Sequence, residues 1–563
     1  MKPFVLIAAS MATLAACAPR ATVAPSTTPA PVPVETPKPG APAPPAVAAA
    51  AGAREAPRNW QLLDLAADRY PGIGEARAER ELLAGRKPAR TVVVAVIDGG
   101  VDTSHVDLRA NLWSNPAGVA GNDGFPGGLR GWDFIGGAHG DVRYDTYELT
   151  RVYVRCTLGD SAAGAGTPTV EPRECARATQ EFARKRGEAA QTLARVQQIS
   201  TMVSAMVPVL TKAVGSDSLT VEKVTALKPA SPEVQQARTM YLRMASQGMT
   251  PAVLAQAVKA YGSQTQYGLN PEYNPRGIVG DNYADLSQRR YGNPDVTGPD
   301  ALHGTHVAGI IGAVRGNGVG MDGIAPAVRI MSIRAVPDGD ERDKDIANAI
   351  RFAVDHGANV INMSFGKGYS PGKRAVDDAV RYADVHGVLM VHAAGNDGAD
   401  LAQSQNFPTP VYLGGGRAQN WIEVGASSWR GLDSLATPFS NYNQTLVDVF
   451  APGEDIYSTL PGNTYGRESG TSMAAPVVSG LAALIMSYYP SLSAADVKRI
   501  ILTSATPYKD QQVVKPGAGG ERVPFGSLSA TGAIVNAYAA LQMAAEAGAI
   551  ALPPRSPRPP SSP

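Results

Sequence analysis

Gly470-Thr471-Ser472-Met473-Ala474-Ala475-Pro476, followed by the apolar run 477–486, places one serine at the head of a helix apolar enough to be buried. Gly470 permits close approach of another backbone, Ala474 and Ala475 permit tight packing, and the free N–H groups of a helix start favour negative charge. Ser472 is therefore a candidate nucleophile. Gly-Thr-Ser is also a common helix cap, and this stretch alone leaves both readings open.

The chain upstream supplies what a nucleophilic serine needs. Residues 91–97 are continuously apolar and β-branched, the pattern of a central parallel strand, and the run ends at Asp98-Gly99-Gly100. Asp98 thus stands at the carboxyl end of a strand, where open α/β sheets place their ligands. In 300–312 a loop runs into an apolar helix with His303 in its first turn. Serine attacks, imidazole takes and returns the proton, and a buried carboxylate fixes the imidazole tautomer. The chain order Asp, His, Ser is that of subtilisin.

Val96-Ile97-Asp98-Gly99-Gly100-Val101-Asp102, His303-Gly304-Thr305-His306-Val307-Ala308-Gly309 and the serine stretch resemble the three signature blocks of the subtilisin-like serine peptidases. The resemblance implies Asp98, His303 and Ser472 as catalytic residues. Asn396, ending the apolar strand 389–395, is similar to the family's oxyanion donor, and Ser364, Phe365 and Gly366 facing Ala393, Ala394 and Gly395 resemble the walls of its specificity pocket. Substrate pairing along such an edge uses backbone hydrogen bonds and selects extended polypeptide. Gly99 departs from the family, which carries Ser or Thr there. Lys367 follows the wall on a loop whose path the sequence does not give.

The core alternates strand and helix: strands at 329–336, 358–364, 389–395 and 421–427, helices at 343–356, 371–386, from Ser472, 493–505 and 530–545. This predicts an α/β fold with a doubly wound, mostly parallel sheet flanked by helices. The interval 98–303 exceeds what a compact member needs, so residues 136–277 are read as a mainly helical insertion. Ile199, Val203, Met206, Leu210 and Ala213 mark one amphipathic helix, and Ser231-Pro232 and Thr250-Pro251 open two more. The insertion either fences the cleft, grips a partner, or is passive decoration. Asp281 and Asp285 are read as a solvated turn, with a structural calcium ion the other option; no metal or cofactor is required for the chemistry. His306 and His392 are read as packed structural residues.

The N-terminus reads as a signal peptide over 1–16. Leu14-Ala15-Ala16-Cys17 resembles the bacterial lipoprotein box, which implies lipidation of Cys17, and Ala18 suggests sorting to the outer membrane. A Pro/Ala-rich tether follows over 17–57, with the peptidase domain in two parts, 58–135 and 278–548, and a Pro-rich tail, expected to be disordered, over 549–563. In an exported protein the pair Cys156 and Cys175 reads as a disulfide pinning a non-helical start of the insertion. Residues 60–65 and 76–83 read as a docking segment and a helix, too little for a cleaved inhibitory prodomain, so folding without one is expected. With 51 Lys+Arg against 50 Asp+Glu there is no case for nucleic acid. The reading is a monomeric, lipid-anchored serine endopeptidase acting on polypeptides; the alternative is a catalytically silent polypeptide-binding scaffold.

Overall fold

A computed structural model of the protein describes residues 55–118, 123–159, 170–216 and 218–550. The signal segment 1–16, Cys17, the tether up to 54 and the tail from 551 lie outside the described residues. The run that opens the α/β pattern forms β1 (Val92–Asp98), buried at all but one position. In chain order follow β2 (Gly131–Asp133), β3 (Val328–Arg334), β4 (Val360–Met363), β5 (Leu389–Ala393), β6 (Trp421–Ser427), β7 (Val449–Pro452), β8 (Ile456–Leu460), β9 (Thr464–Glu468), β10 (Thr506–Pro507) and β11 (Ala533–Ile534). One sheet of nine strands has the spatial order β10-β11-β7-β6-β5-β4-β1-β3-β2. Every pairing in it is parallel except β10 with β11.

Side-chain alternation along β1 divides the core between the two faces of the sheet. Five helices of the insertion come first in the chain: α1 (Glu148–Leu158), α2 (Pro172–Val214), α3 (Val221–Ala226), α4 (Pro232–Ser246) and α5 (Pro251–Ser263). The core helices are α6 (Leu302–Gly312), α7 (Asp343–Asp355), α8 (Lys373–Val385), α9 (Thr471–Tyr488), α10 (Ala494–Thr503) and α11 (Ala537–Ile550). Val92, Val94 and Val96 pack with Val307 of α6 and Val477 and Val478 of α9. Ala95 and Ile97 pack on the opposite face with Ile346 and Ile350 of α7 and Val376 and Val380 of α8. This is the doubly wound, mostly parallel arrangement expected. The helix α9 is long and apolar enough to cross a membrane by composition, yet its place is the buried centre of this fold.

Several details differ from the sequence reading. The final helix starts at Ala537, not near 530, because Ala533 and Ile534 pair with strands on both sides as β11. The hairpin β8–β9 immediately before the serine has no counterpart in the sequence pattern; it packs over α6 instead of joining the large sheet. Asp281 does not sit in a solvated turn: its buried carboxylate pairs with Arg276 and Lys344, whereas exposed Asp285 accepts from Ser287. The flank of the insertion that holds the cysteines is helical. Cys156 lies in α1 and Cys175 in the first turn of α2, joined by a disulfide with Cα atoms 5.5 Å apart. Leu149, Val152 and Cys156 lie on one side of α1, a helical spacing masked in sequence by the intervening Thr and Arg.

The segment ahead of β1 belongs to the core. Trp60 is fully buried and its indole N–H donates to Glu454 O, while Ile73, Ala78 and Leu83 join the same apolar cluster. The helix expected over 76–83 is one α-turn, Glu75–Ala78, continued by a wider turn, Glu79–Leu83.

Candidate functional site

Asp98 ends β1, and α6 starts directly above it. A side chain at Gly304 would come within 2.2 Å of Gly100 O and 3.1 Å of the Asp98 side chain, so only glycine lets the helix start sit this low. That seating puts His303 Nδ1 2.8 Å from Asp98 Oδ1 and 2.9 Å from Oδ2. Asp98 is 2% exposed, and its carboxylate also accepts from the Gly99 N–H. With its Nδ1 proton directed at the carboxylate, the imidazole presents Nε2 as an acceptor. A side chain in place of Gly99 would stand 3.1 Å from Val336 O, so the departure from the family pattern coincides with a tight backbone approach.

Ser472 is the second residue of α9 and is partly exposed, unlike almost every residue after it in the helix. Its Oγ donates to Ser364 O at 3.1 Å. The proline at 476 lacks the N–H that would bond back to the carbonyl of Ser472, and the Ser364 hydroxyl takes that place, donating to Ser472 O at 2.9 Å. Asn362 donates to Ser364 Oγ and accepts from Ser479, so a buried polar chain runs from α9 through β4 back to the head of α9. Ser364 is thus a brace beneath the serine.

Asn396 is oriented by Thr471, whose N–H and hydroxyl both donate to Asn396 Oδ1, at 2.8 and 3.0 Å. Its Nδ2 group lies 3.5 Å from where a Gly470 side chain would be. The turn carrying it is fixed by Asn441, which donates to Ala394 O and accepts from the Asp397 and Ala399 N–H groups. Gly395 has φ 102°, and a side chain there would collide with Asn441 Nδ2 at 2.4 Å. Asn406 fills the space beside Gly366 and donates to Ala393 O, joining the two candidate pocket walls.

These supporting asparagines leave no mark in the sequence, because a lone Asn in a loop carries no period or spacing. Nor does any motif mark Glu468 at the end of β9, whose carboxyl burial pushes above its usual range while the nearby His303 charge pulls it down. His306, on the same helix as His303, is fully buried and its Nε2 meets Ile456 O at 2.9 Å. Burial, aided by the charge of His303, lowers its pKa to about 3 and keeps it neutral. His392 is buried against Glu423. Among the described residues no group of three or more His, Cys, Asp or Glu is placed to hold a metal ion. Lys367 does not reach toward the cleft; its buried ammonium is paired with Glu148 and Asp343.

Comparison with known proteins agrees with the fold. The family model described as the subtilase family matches residues 89–520. The chain is similar to the thermophilic serine proteinase of Bacillus sp. (strain AK1), 47% identical over 186 residues, 33% of this chain and 42% of that protein. It is also similar to subtilisin DY of Bacillus licheniformis, 39% identical over 206 residues, 36% of this chain and 70% of the relative. Thermitase of Thermoactinomyces vulgaris is 37% identical over 234 residues, 40% of this chain and 77% of the relative. The match spans less than half the length of the first of these relatives.

Proposed function

The chain belongs to the subtilase family of serine proteases, and from that footing we propose that it is an endopeptidase whose triad is Ser472, His303 and Asp98, with Asn396 as oxyanion donor. The observation that supports this most is the double approach of the buried Asp98 carboxylate to His303 Nδ1, at the head of the helix that packs beside α9. The Ser472 hydroxyl turns from Ser364 O toward His303 Nε2, a movement consistent with catalytic contacts that tighten only when substrate binds. Oγ then bonds to the scissile carbonyl carbon as its proton passes to Nε2. The Asn396 amide and the Ser472 N–H, free at the helix start, receive the oxyanion. The C–N bond breaks as Nε2 returns the proton to the leaving amine, and water repeats the sequence to release the acid from the acyl-serine.

Substrate is an extended polypeptide lying between Ser364–Gly366 and Ala393–Gly395. Labelling the purified soluble domain with a fluorophosphonate, beside Ser472→Ala, tests the reading. Labelling lost only in the variant supports it, and a folded wild type that never labels sinks it. We propose also that the protein is a monomer held at the outer membrane through lipidated Cys17. Intact-mass analysis of the native protein would show a lipidated Cys17 N-terminus, and an unlipidated N-terminus at another residue would refute the anchor.

A further inference from the structure

The insertion grips the segment that follows one pocket wall at two alternate residues. Lys367, next to Gly366, has a side chain 2% exposed, with Nζ 2.8 Å from Glu148 Oε2, 2.8 Å from Asp343 Oδ1 and 2.8 Å from Glu341 O. Glu148 is the first residue of α1, and its Oε2 also accepts from Arg151, which reaches the carbonyls of Asp340 and Glu341. Two residues on, Tyr369 is buried among Leu149, Val152, Ala178 and Phe182 of α1 and α2, and its hydroxyl donates to Glu181 at 2.6 Å. The disulfide links the same two helices. On its other side the backbone of Lys367 exchanges hydrogen bonds with Phe407, at 3.1 and 2.8 Å, and the neighbouring Asn406 holds Ala393 of the opposite wall.

A cation adjoining a substrate pocket would ordinarily select acidic side chains. Here its charge is consumed by carboxylates, one of them from the insertion. Neutralising Glu148 leaves two buried cations, Lys367 and Arg151, with one carboxylate fewer between them in a low-dielectric site, so the segment would have to shift to restore the balance. We propose that Lys367 and Glu148 are positioning residues: the insertion forms the outer support of the specificity pocket and sets how large a side chain next to the cleaved bond is accepted. This rests on the endopeptidase reading above.

The test uses the soluble chain with the insertion intact. Glu148→Gln is compared with wild type on two peptide series differing only in a small or a large residue before the cleaved bond, with fluorophosphonate labelling measured in parallel. We expect the large-to-small ratio of kcat/KM to change about five-fold or more, chiefly through KM, while labelling of Ser472 stays within about two-fold. A variant with the wild-type ratio, or one in which labelling and both substrates fall together, overturns the proposal. Should Glu148→Gln fail to fold, Tyr369→Phe, which deletes only the hydroxyl bonded to Glu181, must shift the same ratio about two-fold or the proposal fails. Loss of labelling in wild type would instead refute the endopeptidase reading itself.

Discussion

Helices α9 and α2 are both long, and they are held by opposite means. Sixteen of the 18 residues of α9 are buried, so sheet and helices enclose it on all sides. In the 43-residue α2 the buried positions are Ala178, Phe182, Ala189, Val196, Val203 and Leu210, and from Phe182 onward they recur every seven residues along one stripe. The first helix belongs to a single large core. The second is a rail along which three small clusters are strung: one around Phe182 against Tyr369, one around Val203 with Leu254, one around Leu210 with Tyr241. A site seated on α9 is over-determined by the fold, whereas a change on the rail stays local unless it reaches the cluster shared with the core.

The largest effect that would sharpen this contrast is at the head of α9. Ser472→Ala should lower kcat by about 10⁶-fold, the magnitude known for loss of the nucleophile in subtilisin itself. The thermal midpoint should stay within about 2 °C, since Ser472 is partly exposed and a small side chain replaces it. A variant that kept even a hundredth of the activity would move the chemistry elsewhere. Next comes Asn396→Ala, expected to reduce kcat by about 10²- to 10³-fold, again the size found in subtilisin, with KM little changed. An increase in KM at constant kcat would mean that Asn396 serves binding and not the oxyanion.

On the rail, Leu210→Ala removes a fully buried side chain far along α2 from Tyr369. It should cost roughly 2–5 kcal/mol locally. Hydrogen exchange should quicken in α3 and α4 and not in α9, and fluorophosphonate labelling should be unaltered. Slower labelling in this variant would show that the whole rail communicates with the site and would break the comparison.

What could be read from the sequence follows the same division. The sheet and the helices on it are legible because β1 is apolar and mostly β-branched up to Asp98 and because α6 from Val307 and α9 from Met473 are largely apolar. The side chains proposed as catalytic, Asp98, His303 and Ser472, stand at the ends of those elements, where strand and helix boundaries fix them. The hairpin β8–β9 is not legible: its residues 464–468 are only partly buried and mostly polar and pair with β8, and β8 in turn is bonded through Ser458 and Thr459 to a helix rather than to the sheet. Of the seven-residue stripe, Val203 and Leu210 fall within the amphipathic pattern that starts at Ile199, whereas toward the N-terminus of α2 Ala178 and Ala189 take buried positions with little hydrophobic signal. The link from Lys367 to Glu148 joins residues far apart in the chain, and no local pattern records such a pair.

The smallest effect concerns acid, and it separates the two regions again. His306, on α6 beneath the site, is held neutral in the fold with a pKa of about 3, against an ordinary 6.5, by burial and by the charge of His303. Between those values the unfolded chain binds the proton and the folded one does not, so the stabilisation is complete above pH 6.5 and is lost as the pH falls toward 3. One proton gives a slope of at most about 1.4 kcal/mol per pH unit. Glu148 at the edge of the insertion behaves differently. Burial would raise it, but the charges of Arg151 and Lys367 outweigh that and hold it well below the usual carboxylate range, so its pairing survives until the pH is far lower. Near pH 4.5, therefore, hydrogen exchange should rise in α6 and the strands beneath it before it rises in α1. Urea titrations at pH 7 and 4.5 should show the stability difference shrinking in His306→Gln by about 1 kcal/mol or more relative to wild type. Equal differences in the two proteins would mean that another group carries the acid sensitivity of the core.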